Sequence, residues 1–459
     1  MKSKILLGSF LLSVSAYAGT WQVLFSPSQS GINMSVVEFG VASDFSKALS
    51  LKQNQDPYTE AGDELFIDAT VVDPSINKVF KAKVKARGNS VLSDGQVEFP
   101  KLKVEIDETE NTKESLFSGQ KKFRINTHLS DKADNQNSEF GRLLGGQGPL
   151  REGLAYKFAE VLGLVAPQTQ FAKVRYLDTQ TRKETIQSAL VIETDKKMAK
   201  RLGAEIILDT QAEAGAIKAG FNENDAALFM VFHALVGNVD YSLKFHEPDI
   251  IETERYRAYW NTFLIKQADG RIKPVVYDLD LATMVNGKLA QRGQRGVNAY
   301  FGLNDPEIAG LVRAMAELRQ KVSKQSLSLA VDRVVQMKDT LLNVIDASPV
   351  EAQGKNLAKK HLQIFLENSE RALSYNVIAV EGANLLADSN DNAAKKIESL
   401  RPGTPVMILK EIGQYYQVAV LDLHGDLEEN ATPVGYVPKG AVATDLPTSL
   451  LGIVDNREM

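Results

Sequence analysis

Residues 225–236 read Asp-Ala-Ala-Leu-Phe-Met-Val-Phe-His-Ala-Leu-Val, a stretch that is apolar on every face if helical. A helix without a polar face belongs in the middle of a domain, with protein on all sides. The chain must therefore build a large core around it. With 459 residues, 44% of them hydrophobic and 24% charged, it has the material to do so. That length suits two or three domains, or one large domain with a small module. Collagen, coiled coil and membrane bundle are excluded by the same composition. The 53 Lys and Arg against 58 Asp and Glu leave a formal charge of −5. This is no basic field for duplex nucleic acid, and no nucleic-acid partner is expected.

The first residues predict export. Lys2 and Lys4 form a positive start, residues 5–14 are an apolar run too short to span a bilayer, and Ala16-Tyr17-Ala18 places small residues before Gly19. A signal peptide over 1–18 is expected, with the mature chain in the periplasm or outside the cell. Its removal takes Lys2 and Lys4 away and the net charge to −7. There is no Cys, so the exported chain has no disulfide, thiolate nucleophile or lipidated cysteine. No later segment offers about 18 consecutive apolar residues, and the mature chain is expected to be soluble and not an integral membrane protein.

Residues 21–125 alternate apolar and polar positions in short runs, as in Glu64-Leu65-Phe66-Ile67-Asp68, and predict a β-rich region. Leu150, Leu154, Phe158 and Leu162 recur at four-residue spacing before Gly163, a helix with a glycine stop. Strands are expected at 171–176 and 185–193. The apolar helix ends at Gly237-Asn238. Residues 256–265 and 272–277 alternate like strands around the hairpin turn Asp269-Gly270. Residues 305–375 are mostly amphipathic helix. Short strands resume after Val377, where a domain boundary is expected. No internal repeat is visible.

The chemistry is suggested by an order of parts: buried helix, loop Gly237-Asn238-Val239-Asp240, β-hairpin, then Asp278-Leu279-Asp280 at the end of its second strand. A loop carboxylate beside a rigid helix can be held against an incoming hydroxyl. Carboxylates leaving the adjacent strand can hold Mg²⁺ on phosphate oxygens. Phosphoryl transfer needs those parts. The plain alternative is turn chemistry, since Asn and Asp commonly follow helix ends and Asp-x-Asp caps loops.

Five motifs carry a family resemblance: Arg87-Gly88-Asn89-Ser90, Phe99-Pro100-Lys101-Leu102-Lys103, Arg151-Glu152-Gly153-Leu154-Ala155 with Leu162-Gly163-Leu164-Val165-Ala166-Pro167, Gly237-Asn238-Val239-Asp240, and Pro274-Val275-Val276-Tyr277-Asp278-Leu279-Asp280. In this order, over about residues 75–350, the chain resembles the CotH family of spore-coat-type atypical protein kinases. The resemblance implies an α+β fold, with an atypical protein-kinase-like two-lobed domain over 19–376. Its first lobe is β-rich to about residue 148, and its second is mainly helical. It also implies ATP and Mg²⁺ or Mn²⁺ as cofactors and a protein hydroxyl as phosphate acceptor. Carried over, Asp240 is the catalytic aspartate and Asp278 the metal-binding one, with Asp280 as a second ligand. Lys101 or Lys103 neutralises ATP phosphates, Glu193 is the candidate partner of that lysine, and Arg87 with Asn89 serves a turn near phosphate, or only a turn. A solvated strand face accounts equally well for Lys101, Lys103 and Glu105, because Leu102 and Val104 face the core.

The chain departs from the family after Asp240, where an Asn suited to a metal is replaced by Tyr241-Ser242-Leu243-Lys244. Either Asn238 or Asn261 takes that place, or metal binding is weak. Export also leaves little ATP within reach. An inactive, kinase-like envelope or cell-wall binding protein is therefore the alternative, with a metal-dependent phosphate-ester hydrolase as a third. The five histidines lack metal-ligand spacing, and neither a Gly-x-Ser-x-Gly elbow nor a P-loop is present.

Residues 377–446, with Pro402-Gly403-Thr404-Pro405-Val406, Tyr415-Tyr416-Gln417-Val418 and Val434-Gly435-Tyr436-Val437-Pro438, resemble a bacterial SH3-like domain followed by a tail at 447–459. The resemblance implies a small all-β barrel that binds peptidoglycan or cell-envelope peptides. Tyr415, Tyr416 and Tyr436 are either its surface aromatics or part of its core. The insertion at 422–432 lengthens one loop.

Overall fold

The computed structural model describes residues 24–25, 32–54, 65–88, 99–127, 137–138, 141–207, 221–243, 259–287, 300–301, 303, 305–389, 395–421 and 433–447. The expected signal peptide, Asn89, Ser90, Lys244, the insertion at 422–432 and residues 448–459 lie outside them. Two compact units divide the chain. The first comprises Met1–Phe158, Pro167–Met198 and Asn343–Lys355, and the second Ala159–Ala166, Ala199–Leu342 and Asn356–Met459.

The first unit is built from β1 (Val36–Ser43), α1 (Phe45–Gln53), β2 (Ile67–Asp73), β3 (Lys78–Arg87), β4 (Lys101–Ile106), β5 (Lys122–Asn126), the two-residue strands β6 (Asn137–Ser138) and β7 (Gly141–Arg142), most of α2 (Gly148–Leu162), β8 (Thr169–Asp178), β9 (Glu184–Glu193) and the start of α3 (Asp195–Arg201). Seven strands close into a barrel in the order β1-β2-β3-β4-β5-β9-β8. Every contact around it is antiparallel except the last, where β1 runs parallel to β8 with Val36 opposite Phe171 and Ser43 opposite Asp178. Alternation sends Phe39, Val41, Phe80, Val84, Leu102, Val104, Phe123 and Ile125 inward. Phe39 and Phe80 meet Phe117 edge-on at 5.5 and 5.9 Å, and Phe117 stacks on Phe123 at 5.6 Å. A closed barrel filled by side chains leaves no unpaired edge.

The second unit contains β10 (Ala204–Ile207), α4 (Glu223–Val236), β11 (Ser242–Leu243), β12 (Tyr259–Trp260), β13 (Thr262–Gln267), β14 (Ile272–Val276), α5 (Thr283–Asn286), α6 (Pro306–Leu318), α7 (Lys324–Gln336), the first half of α8 (Lys338–Ala347) and most of α9 (Ala352–Ser374). The apolar helix α4 is capped by Asn222, which accepts from Asn224 N and Asp225 N, and ends on Gly237 at φ +68°. It is flanked by α6, α7 and β14, and its residues from Phe229 to Val236 are buried. The strands β15 (Asn376–Ile378), β16 (Ala383–Leu386), β17 (Lys396–Leu400), β18 (Pro405–Ile412), β19 (Tyr415–Val420), β20 (Val434–Pro438) and β21 (Val442–Ala443) form one sheet in the order β17-β16-β20-β19-β18-β15-β21. Within it Tyr415 is buried, and Tyr416 packs against the small core. Among the described residues no helix is long and apolar enough to cross a membrane, as the sequence leads one to expect.

The expected fold class is corrected here. The described residues do not show an α+β chain with a kinase-like two-lobed domain and an SH3-like barrel. The β-rich part does not stop at about residue 148. It closes as a barrel only by recruiting β8 and β9, which lie beyond α2 in the chain. Residues 377–446 contribute an open-order seven-stranded sheet, where a closed small barrel is implied by the resemblance. The physical reason is that strand alternation reports which face is buried and carries no information on which strands become neighbours.

Candidate functional site

The second unit brings the two acidic motifs together. Helix α4 ends at Gly237, and the next residues turn back under it, with Asn238 N donating to His233 O at 2.8 Å. The buried Asn238 side chain spans two partners. Its Oδ1 accepts from Asp240 N at 3.0 Å, and its Nδ2 lies 3.0 Å from His233 Nδ1. Across the hairpin, Asn261 Nδ2 donates to Asp240 O at 2.8 Å and to Asp240 Oδ2 at 2.6 Å. Asn261 does this from a left-handed backbone, φ +48°, tolerated by Asn more readily than by most residues. It immediately precedes β13, whose first residue Thr262 pairs with Val276 at the end of β14. The strand that leads into Asp278 and the residue that holds Asp240 are therefore at one end of one hairpin.

Asp278 is itself left-handed, φ +51°, and leads into a turn closed by Ala282 N on Leu279 O at 3.0 Å. Asp278 and Asp280 are half-buried, Leu279 is buried between them, and Leu281 is exposed. The turn is latched to the Asp240 loop. Thr283 donates from both its backbone N and its Oγ1 to Gly237 O, each at 3.1 Å. A Cβ on Gly237 would stand 2.8 Å from Thr283 Cβ, so the latch needs glycine for space as well as for its positive φ. Sequence reasoning missed Thr283, because a threonine at a helix start carries no mark of its partner 46 residues earlier.

His233 is fully buried, stacks on Tyr241 at 4.0 Å and meets Phe229 edge-on at 4.5 Å. Burial drops its pKa to about 3, so the ring is neutral. His361 on α9 is also held neutral, at about 4, by burial and then by Lys360.

The expected nucleotide residues belong to the first unit. Leu102 and Val104 lie in the barrel core, and β4 turns Lys103 and Glu105 outward. Glu105 bridges Lys103 at 3.0 Å, Lys122 at 3.4 Å and Lys83 at 3.7 Å. Burial alone would push its carboxyl up, but Lys103 and Lys122 together outweigh this and hold it below its ordinary value. The ammonium groups of Lys83, Lys85 and Lys103 all lie within 5.4 Å of the Phe66 ring centre. Lys101 differs from Lys103 in being buried, opposite Arg87 in the β3–β4 register. Arg87 donates to Asn126 Oδ1, and Asn126 Nδ2 donates to Glu152 Oε1 and Oε2 at 2.8 and 2.7 Å. Glu152 thus emerges as a buried carboxylate of the network, a role the sequence did not mark. Glu193 is buried too, and its Oε2 accepts from Gln168 N at 3.0 Å.

Among the described residues no three His, Asp or Glu side chains are grouped to hold a metal ion by themselves. Asp278 and Asp280 would supply one or two carboxylates, the number that a cation of the Mg²⁺ type takes before phosphate oxygens and water complete its shell. Asn238, expected as a possible ligand, has both ends of its amide engaged. No protein-family model matches the chain, and no curated protein matches it.

Proposed function

We propose that the chain is an exported phosphotransferase that moves the γ-phosphate of ATP to a protein hydroxyl. The observation that supports this reading is the joining of Asp240 and Asp278: two Asn side chains clamp Asp240 in place, and Thr283 ties its loop to the turn that follows Asp278. A carboxylate fixed in this way can take the proton of an attacking hydroxyl as the new O–P bond forms and the bond from Pγ to ADP breaks. Asp278 with Asp280 would hold the cation, whose chemistry when bound is to neutralise phosphate charge. Positioning and electrostatics then supply most of the rate. Envelope proteins are the acceptors this reading implies, and the C-terminal sheet is the proposed contact to cell-envelope peptides.

The test is transfer of labelled γ-phosphate, with Mg²⁺ or Mn²⁺, to the mature chain and to an envelope extract. Asp240→Asn is expected to lower the rate by about 10²–10⁴-fold, the usual worth of a general base, and Asp278→Asn to abolish the metal-dependent labelling. Absence of labelling together with absence of any nucleotide-dependent thermal shift would replace this reading by that of a non-catalytic envelope-binding protein.

A further inference from the structure

A cavity of about 40 Å³ lies beneath the Gly237–Asn238–Val239 loop, wholly within the second unit. That is room for about three water molecules. Its apolar walls come from Leu311, Ala314 and Ile364, and the space exists because α6 presents Gly310 and Ala314 on the same face. Two imidazoles, those of His233 and His361, line it. The Nε2 of each is shielded from solvent and finds no hydrogen-bond partner among the described residues.

The chemistry of His233 is settled by its neighbours. Asp240 N can only donate, so Asn238 Oδ1 faces it and Asn238 Nδ2 faces His233. Nδ2 also only donates, which makes His233 Nδ1 an acceptor and leaves the ring proton on Nε2. A buried N–H donor without a partner is costly, and this one belongs to a residue lining an apolar-walled space. The tautomer argues against a metal, because an imidazole that binds metal through Nε2 carries its proton on Nδ1 and donates it there. An anion is disfavoured as well. Glu307 lines the space, and an anion would have to approach its carboxylate, which Lys360 pairs with at 2.7 Å.

We propose that this cavity binds a small uncharged molecule, or the end of a larger one, whose oxygen accepts a hydrogen bond from His233 Nε2 while its alkyl part fills the wall formed by Leu311, Ala314 and Ile364. The proposal does not rest on phosphotransfer, and its readout involves no activity. Water satisfies the donor but leaves the apolar wall unfilled; an alcohol or a small amide satisfies both. The occupant touches the loop that carries Asp240, so its binding is felt there through Asn238.

The experiment uses the full mature chain with ¹⁵N-labelled histidine, titrated at neutral pH with 2-propanol, acetamide and acetate, beside His233→Phe and Gly310→Leu. A saturable shift of the His233 Nε2 resonance with 2-propanol or acetamide and none with acetate is expected, at about millimolar affinity for ligands of four heavy atoms. Filling the space from α6 in Gly310→Leu should abolish it. Loss of the donor in His233→Phe should weaken acetamide binding, followed in solution at the His361 ring that also lines the cavity, by about tenfold. No saturable shift with either neutral probe, or occupancy confined to soaked crystals, would overturn the proposal. So would tighter binding of acetate than of acetamide. Unchanged melting of Gly310→Leu separates a filled cavity from a misfolded chain.

Discussion

Asn261 and Asp278 show how much the candidate site depends on single backbone angles. Both are non-glycine residues in the left-handed region, a conformation that costs about 1 kcal/mol or more and persists where surroundings enforce it. Asp278→Asn keeps a side chain tolerant of that angle and should leave stability within about 0.5 kcal/mol, whereas β-branched Asp278→Val should lose about 2 kcal/mol. Urea unfolding of the two variants checks this. Gly237→Ala meets both a positive φ and Thr283 at 2.8 Å, and a loss of about 2 kcal/mol or more is expected in the same assay. Acid should act through His233. Its folded pKa is depressed to about 3 by burial, below the ordinary 6.5, so the unfolded chain binds the extra proton. The stability this group contributes is complete above pH 6.5 and is lost as pH falls towards 3, by at most about 1.4 kcal/mol per pH unit. His233→Phe should flatten that slope in unfolding curves taken between pH 4 and pH 7. At this scale the acidic motifs were legible, because Asp in a loop is visible in a string of letters. Thr283 and Glu152 were not, because their partners stand far along the chain.

Helices and strands were the most legible level. Four-residue apolar spacing and Gly163 mark α2, whose glycine stop has φ +81°. Asp269-Gly270 marks the β13–β14 hairpin. The alternation at 256–265 looks like one strand, but Asn261 breaks it into β12 and β13, and that break is what lets its amide reach Asp240. Helix α1 lies within the stretch expected to be β-rich, and of its apolar residues only Phe45 and Ala48 are buried, with Leu51 partly buried against the barrel core. Inside α2, Gly153 lets the helix approach the barrel closely. A Cβ there would stand 2.5 Å from Phe171 Cε1 and 2.7 Å from Leu190 Cδ1. Gly153→Ala gains about 1 kcal/mol of helix propensity but should still destabilise the first unit by about 1–3 kcal/mol through overpacking. Thermal unfolding of the variant decides the sign.

For the whole molecule, the parallel contact of β1 with β8 matters most. Val36 and Phe171 are 135 residues apart, and that pairing turns an open sheet into a barrel. Val41 is paired on both sides, with Val71 and Tyr176. Val41→Pro removes its N–H and should cost about 3 kcal/mol or more. Hydrogen exchange should show protection lost in β8 as well as in β1, while β18 and β19 in the second unit stay protected. Equal protection of β8 in the variant would mean that closure contributes little.

The sequence by itself determined the elements that depend on local pattern: the buried character of α4, the glycine-stopped α2, the hairpin at Asp269-Gly270, and the loop and turn that carry Asp240 and Asp278. These follow from periodicity, turn chemistry and composition, all of which act over a few residues. Tertiary structure alone decided the rest. Barrel closure, the latch from Thr283 to Gly237, the clamp of Asn238 and Asn261 on Asp240, and the His233 cavity each join residues that are distant in the chain or set by the packing of several elements. The kinase-like two-lobed expectation failed at that level because strand alternation is the same whether a sheet stays open or closes, and only long-range pairing distinguishes the two.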